Sequence, residues 1–152
     1  MKNFFKYIIT ISLVLISLTA FSQSTNQIDI LNRLDVKKQA TFGDAVKLFS
    51  LQIDNRSGSF AADLAKLKSQ GLIKNSYTEG KSLTKGNIAL LTAKYIKLSD
   101  NLFYKVFGSE RYAFRACVAA GIMKTDSSEN DMVTGPQLIE ILSKISQYKG
   151  EE

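Results

Sequence analysis

Along most of the chain apolar residues fall three and four positions apart with charged and polar residues between them, the spacing of one buried helix face rather than the alternation of a strand. In ATFGDAVKLFSLQI, residues 40 to 53, this spacing groups Ala45, Leu48, Phe49 and Ile53. In FAADLAKLKSQ, 60 to 70, it groups Phe60, Leu64 and Leu67, and in ERYAFRACVAA, 110 to 120, Phe114, Cys117 and Val118. Two further faces follow: Ile88, Leu91, Tyr95 and Leu98, then Leu138, Ile141, Leu142, Ile145 and Tyr148. No segment reads as a strand, so the pattern predicts an all-α fold of helix-loop-helix repeats packed into a compact helical bundle.

The punctuation repeats as well. Gly71-Leu72-Ile73-Lys74 and Gly121-Ile122-Met123-Lys124 each follow a predicted helix, and the glycine stands where a left-handed cap ends one. After a polar loop comes an apolar residue and a threonine, Leu83-Thr84 in one copy and Val133-Thr134 in the other. Thr84 and Thr134 are expected helix N-caps, because a hydroxyl accepts from the unpaired amides of a first turn. Gln137 completes a capping box with Thr134, and Pro136 falls in the first turn, where its missing N–H costs nothing. Thr41 opens a third copy of this second half, with Gly43-Asp44 matching Gly86-Asn87. A unit with one apolar stripe cannot close its own core, so the copies are expected to pack on one another. The alternative is a chance likeness between two amphipathic helix pairs.

These boundaries divide the chain into a signal peptide at 1–22, an extension or leading helix at 23–40 carrying Ile28, Leu31 and Leu34, and a helical repeat domain at 41–148. Within the domain lie a half-repeat at 41–54, a repeat at 60–98, an inserted helix at 99–108 and a repeat at 110–148. The loop DNRSGS, 54–59, joins the first two. SDNLFYKVFGS, 99–109, is the most apolar short stretch after the leader, and reads either as core or as an aromatic surface for a partner or lipid.

The start of the chain changes the cellular picture. Lys2 and Lys6 precede an uncharged, mostly apolar run from Ile8 to Phe21, and Ala20-Phe21-Ser22 supplies small residues for cleavage before Gln23. The run is shorter than the roughly 20 residues that cross a bilayer, so export is expected, to periplasm, cell envelope or medium, with no transmembrane span after cleavage; an uncleaved anchor is the alternative. The chain of 152 residues, 45% hydrophobic and 22% charged, has the composition of a single globular domain. It has 20 Lys and Arg against 14 Asp and Glu; losing Lys2 and Lys6 leaves 18 against 14, a net +4. With Cys117 as its one cysteine it makes no internal disulfide, and packing must stabilise it.

Enzymatic chemistry has little to stand on. There is no His, which removes the usual base of serine and cysteine nucleophiles and imidazole metal ligation. KTDSSENDM, with Asp126, Ser128 and Asn130, starts like a calcium loop, but Asp131 replaces the turn glycine and Gln137 stands at the closing position, so a solvated turn is the plainer reading. Asp63 and Glu110 suit helix N-termini, and Cys117 suits a core. No catalytic residue, metal site or cofactor is expected.

The order helix, Gly-Leu-Ile or Gly-Ile-Met, polar loop, hydrophobic-Thr, amphipathic helix resembles the S-layer homology domains over roughly residues 41 to 147. The resemblance implies a pseudo-threefold helical module that binds cell-wall polysaccharide or peptidoglycan-linked polymer in grooves between repeats, without catalysis. Thr41, Thr84 and Thr134 carry the family's threonine; where its motif has Arg and Glu, this chain has Phe42 and Asp44, Lys85 and Asn87, and Gly135 and Gln137. Lys74, Lys81, Lys85, Arg111 and Lys124 surround the repeat loops and are the candidate polymer contacts, unless they form a dispersed solvated face. The other functional expectation is an envelope protein adaptor using the aromatic 99–109 segment. Nucleic acid is not an expected partner.

Overall fold

The computed structural model describes residues 27–75, 77–98 and 108–150. The expected signal segment and nearly all of the expected inserted helix, with its aromatic patch, lie outside them. The described residues contain six helices and no strand: α1 (27–35), α2 (Phe42–Asp54), α3 (Phe60–Ser69), α4 (Lys85–Tyr95), α5 (Glu110–Ala119) and α6 (Gly135–Gly150). They fall into two units, the first turns of α1 up to Arg33 and everything from Leu34 onward. In α1, Leu34 is buried, whereas Ile28 and Leu31 are exposed.

Helices α2, α4 and α6 each begin at a threonine that caps them. Thr41 Oγ1 accepts from the Asp44 amide, and the Asp44 carboxylate accepts in return from the Thr41 amide at 2.7 Å, a complete capping box. Thr134 and Gln137 make the same exchange at 3.3 and 3.0 Å. Thr84 Oγ1 accepts from the Asn87 amide at 3.2 Å, but the Asn87 carboxamide turns aside to donate to Glu110 Oε1 at 2.7 Å.

They end alike too. Gly71 and Gly121 both sit at φ 72°, and the amides of Leu72 and Ile122 reach back to the carbonyls of Leu67 and Cys117 at 3.0 and 2.9 Å, closing Schellman turns. The α4 helix ends the same way, with Leu98 donating to Ala93 at 2.9 Å, but Lys97 occupies the left-handed position at φ 52°.

The residues just before the three threonines form a closed ring of backbone hydrogen bonds. The Ala40 amide donates to the Val133 carbonyl at 2.7 Å, Val133 to Leu83 at 2.9 Å, and Leu83 to Ala40 at 3.0 Å. All three side chains are fully buried. One step on, the first helical amide of each threonine helix donates to a carbonyl of the segment before the next: Phe42 to Lys81, Lys85 to Asp131, and Gly135 to Lys37. Donors that a helix N-terminus leaves unpaired are thus satisfied around the ring. Gly43 and Gly86 add a second such bond, to Glu79 and Glu129. In α6 Pro136 stands at that position and has no N–H to give. The close approach behind Gly135 also fixes its identity, because a Cβ there would overlap the Leu34 carbonyl oxygen.

Around this ring α2 packs against α3 and α4 against α5, so the packed pair is a threonine helix with the helix that follows it. The sequence repeat runs the other way, from a helix to the threonine helix after it. Phe49, Leu67, Leu83, Ile88, Leu138 and Ile145 are the largest wholly buried apolar side chains. Ile53, Phe60, Leu64, Tyr95, Val118 and Tyr148, expected on buried faces, are half-buried.

What α3 buries instead is Asp63, only 2% exposed. Its carboxylate accepts from Ser50 Oγ at 2.8 Å, Ser57 Oγ at 2.6 Å and the Gly58 amide at 3.0 Å. Lys66 Nζ joins the cluster through Ser50 Oγ at 2.7 Å and pairs with Asp54 at 3.0 Å. A buried carboxylate is tolerable only with such partners, and here they pin the 55–59 loop to both helices.

Candidate functional site

Each complete repeat forms a groove between its Gly-capped turn and its threonine helix. The first, of about 240 Å³, is walled by Leu72, Ile73, Lys74, Asn75 and Tyr77 from the turn and by Asn87, Leu90, Leu91 and Lys94 from α4, with Phe42 of α2 closing one side. The second, of about 40 Å³, is bounded by Ile122, Met123, Lys124 and Ser127 and by Gln137, Glu140, Ile141 and Lys144, with Lys85 of α4 in the place of Phe42. The correspondence holds position by position, because both repeats place the same two elements around the same ring.

The shared frame carries different chemistry. Lys94 Nζ donates to the Leu72 carbonyl at 3.1 Å, and its pKa is lowered by burial and by the neighbouring charge of Lys74. Lys74 has no hydrogen bond or ion pair among the described residues, and none of the described side chains lining this groove is acidic. Tyr77 is braced by Phe42, ring centroids 4.6 Å apart and edge-on, and by Lys81, whose ammonium stands 3.7 Å from the ring centre. Asn87, on the groove wall, has its carboxamide oxygen buried without a partner among the described residues. In the second groove every lysine is paired: Lys85 with Asp131 at 3.7 Å, and Lys124 and Lys144 with Glu140 at 3.8 and 3.2 Å.

The candidate residues read from the sequence therefore separate. Lys74 lines the first groove, and Lys81 braces its tyrosine from outside. Lys85 and Lys124 line the second groove, while Arg111 is exposed on α5 and lines neither. Lys94, Tyr77, Asn87 and Glu140 were not among those candidates. Aligning the repeats residue by residue would have found them, since Lys94 and Lys144 bear the same relation to Thr84 and Thr134, and Leu90 takes the place of Glu140.

Cys117 is wholly buried with Sγ 3.6 Å from the Ala89 carbonyl, and burial pushes its thiol up to about 12, outside the range of a reactive nucleophile. Among the described residues no group of three or more Cys, Asp or Glu side chains is placed to hold a metal ion, and no helix is long and apolar enough to cross a membrane.

Ring and grooves define the class of molecule: an all-helical repeat module with a groove in each complete repeat, edged by one residue of the threonine helix before it. Comparison of the chain with protein-family models, curated proteins and solved structures gave no match.

Proposed function

We propose that the chain is an exported, non-catalytic binding module that attaches to a cell-wall polymer or peptidoglycan through the grooves of its repeats. The observation that carries this reading is the recurrence of one groove at equivalent positions of both repeats, around a backbone ring that holds the repeats in register. Grooves repeated in register suit a ligand that is itself a repeat. The threefold closure also agrees with the resemblance to S-layer homology domains, whose repeats assemble about such an axis. Lysines on a net-positive chain favour an anionic polymer, with attachment weakening as salt rises.

Co-sedimentation of the purified chain with peptidoglycan sacculi tests the reading. The chain is expected in the pellet at low salt and increasingly in the supernatant as salt is raised. If it stays in solution at low salt, the attachment proposal fails.

A further inference from the structure

Resting on that reading, we infer that the two grooves are not equivalent: the first takes one carboxylate or phosphate group of an acidic saccharide between Lys74 and Lys94, while Glu140 closes the second to anions. The second groove supplies the argument. There Lys124 and Lys144, the counterparts of Lys74 and Lys94, hold the Glu140 carboxylate between them at 3.8 and 3.2 Å. The repeat frame thus places two lysines to share one anion, and in the second groove the chain provides that anion itself. In the first groove Leu90 stands in the place of Glu140, and the two ammonium groups face an open cavity of about 240 Å³ instead of about 40 Å³.

Two like charges beside a cavity with no lining carboxylate among the described residues are an arrangement that an anion relieves. Glu110, beside the groove-wall residue Asn87, is already engaged by Asn87 Nδ2 at 2.7 Å. The remaining lining matches a sugar: Leu72, Ile73 and Leu91 offer apolar surface, and Asn75, Tyr77 and Asn87 offer hydrogen-bonding groups beside it.

The test is an amide-resolved NMR titration of the purified chain with N-acetylmuramic acid, its uncharged relative N-acetylglucosamine, and inorganic phosphate. N-acetylmuramic acid is expected to shift the amides of Leu72 to Asn75, Tyr77 and Lys94, leave those of Ile122 to Ser127 and Lys144 in place, and bind at least about tenfold more tightly than N-acetylglucosamine. Lys74→Gln with Lys94→Gln should weaken it by at least about tenfold. Glu140→Leu, and the closer-shaped Glu140→Gln, should each bring the second set of amides into the response. Equal response of both grooves in the unaltered chain, equal affinity for the neutral sugar, or a second groove that stays silent in both Glu140 variants overturns the inference. A response to phosphate alone overturns the saccharide part.

Sacculi separate this from the broader reading. If the unaltered chain pellets and the double lysine variant pellets equally, the groove assignment falls and attachment stands. If the amides respond but the unaltered chain does not pellet, attachment falls alone.

Discussion

The Ala40 amide donates to the Val133 carbonyl at 2.7 Å, joining the segment ahead of the first threonine helix to the segment ahead of the last. In an open solenoid each repeat contacts only its neighbours and can fray from its ends. Here the ends are bonded to each other, so the repeats should open together. Ala40→Pro removes the donor and leaves the buried Val133 carbonyl without it, at an expected cost of about 3 kcal/mol or more. Hydrogen exchange is the sharper measurement: protection should fall at Leu83 and Val133 as well as near residue 40. A loss confined to the α1–α2 connection would show that the ring is not cooperative.

Three of the left-handed helix ends, at Gly71, Lys97 and Gly121, make a graded comparison within one chain. Gly71→Ala and Gly121→Ala put a Cβ at φ 72°, where it is strained although nothing lies within 4 Å of it, and each should cost about 1 kcal/mol by urea unfolding. Lys97 already bears that strain at φ 52°, so Lys97→Gly should instead stabilise by about 0.5 kcal/mol, the relief exceeding the added entropy of the unfolded chain. A destabilised Lys97→Gly chain would contradict the account.

These ends also show what the sequence disclosed. Gly71 and Gly121 announced two of them because glycine is the usual occupant of a left-handed cap, whereas Lys97 gave no such signal. Thr41, Thr84 and Thr134 marked the starts of three helices, and their spacing carried the all-helical architecture. The packing partners were hidden, because a sequence repeat can be cut at any point and α2 with α3 is the packed pair. Asp63 was credited to a helix dipole, since its partners Ser50, Ser57 and Gly58 meet it only through the fold. Two of the candidate lysines, Lys85 and Lys124, proved to be matched to carboxylates by tertiary structure alone.

Asp63 gives the clearest stability prediction. Asp63→Ala removes the acceptor of the Ser57 hydroxyl and the Gly58 amide and leaves the buried Ser50 hydroxyl only the Arg56 carbonyl at 3.1 Å, at a cost of about 2 kcal/mol. Asp63→Asn retains the shape but supplies one acceptor oxygen where two were used, and should cost less. Urea unfolding of both variants checks the order; Asp63→Asn as damaging as Asp63→Ala would mean that charge rather than hydrogen bonding dominates.

Cys117 reports on the same opening by chemistry. With its thiol held near 12 and its side chain wholly buried, modification by a disulfide reagent at pH 8 should be slow in native buffer and rise steeply through the unfolding transition. Rapid modification of the folded chain would mean that α4 and α5 separate locally.

Lys94 ties stability to the groove. Burial first, and the Lys74 charge second, hold its pKa below the ordinary 10.5. Its folded value thus lies under its unfolded one, and the folded state is penalised wherever Lys94 is charged; stability should rise with pH between those two values and gain nothing more above them. Lys74→Gln removes the second cause and should move the Lys94 titration upward, read from the side-chain carbon next to the ammonium by NMR. An anion seated between the two lysines favours the charged form and should move it in the same direction, with a rise in Tm at neutral pH. A Lys94 titration that ignores both Lys74→Gln and saturating N-acetylmuramic acid would show that the two ammonium groups do not share a site.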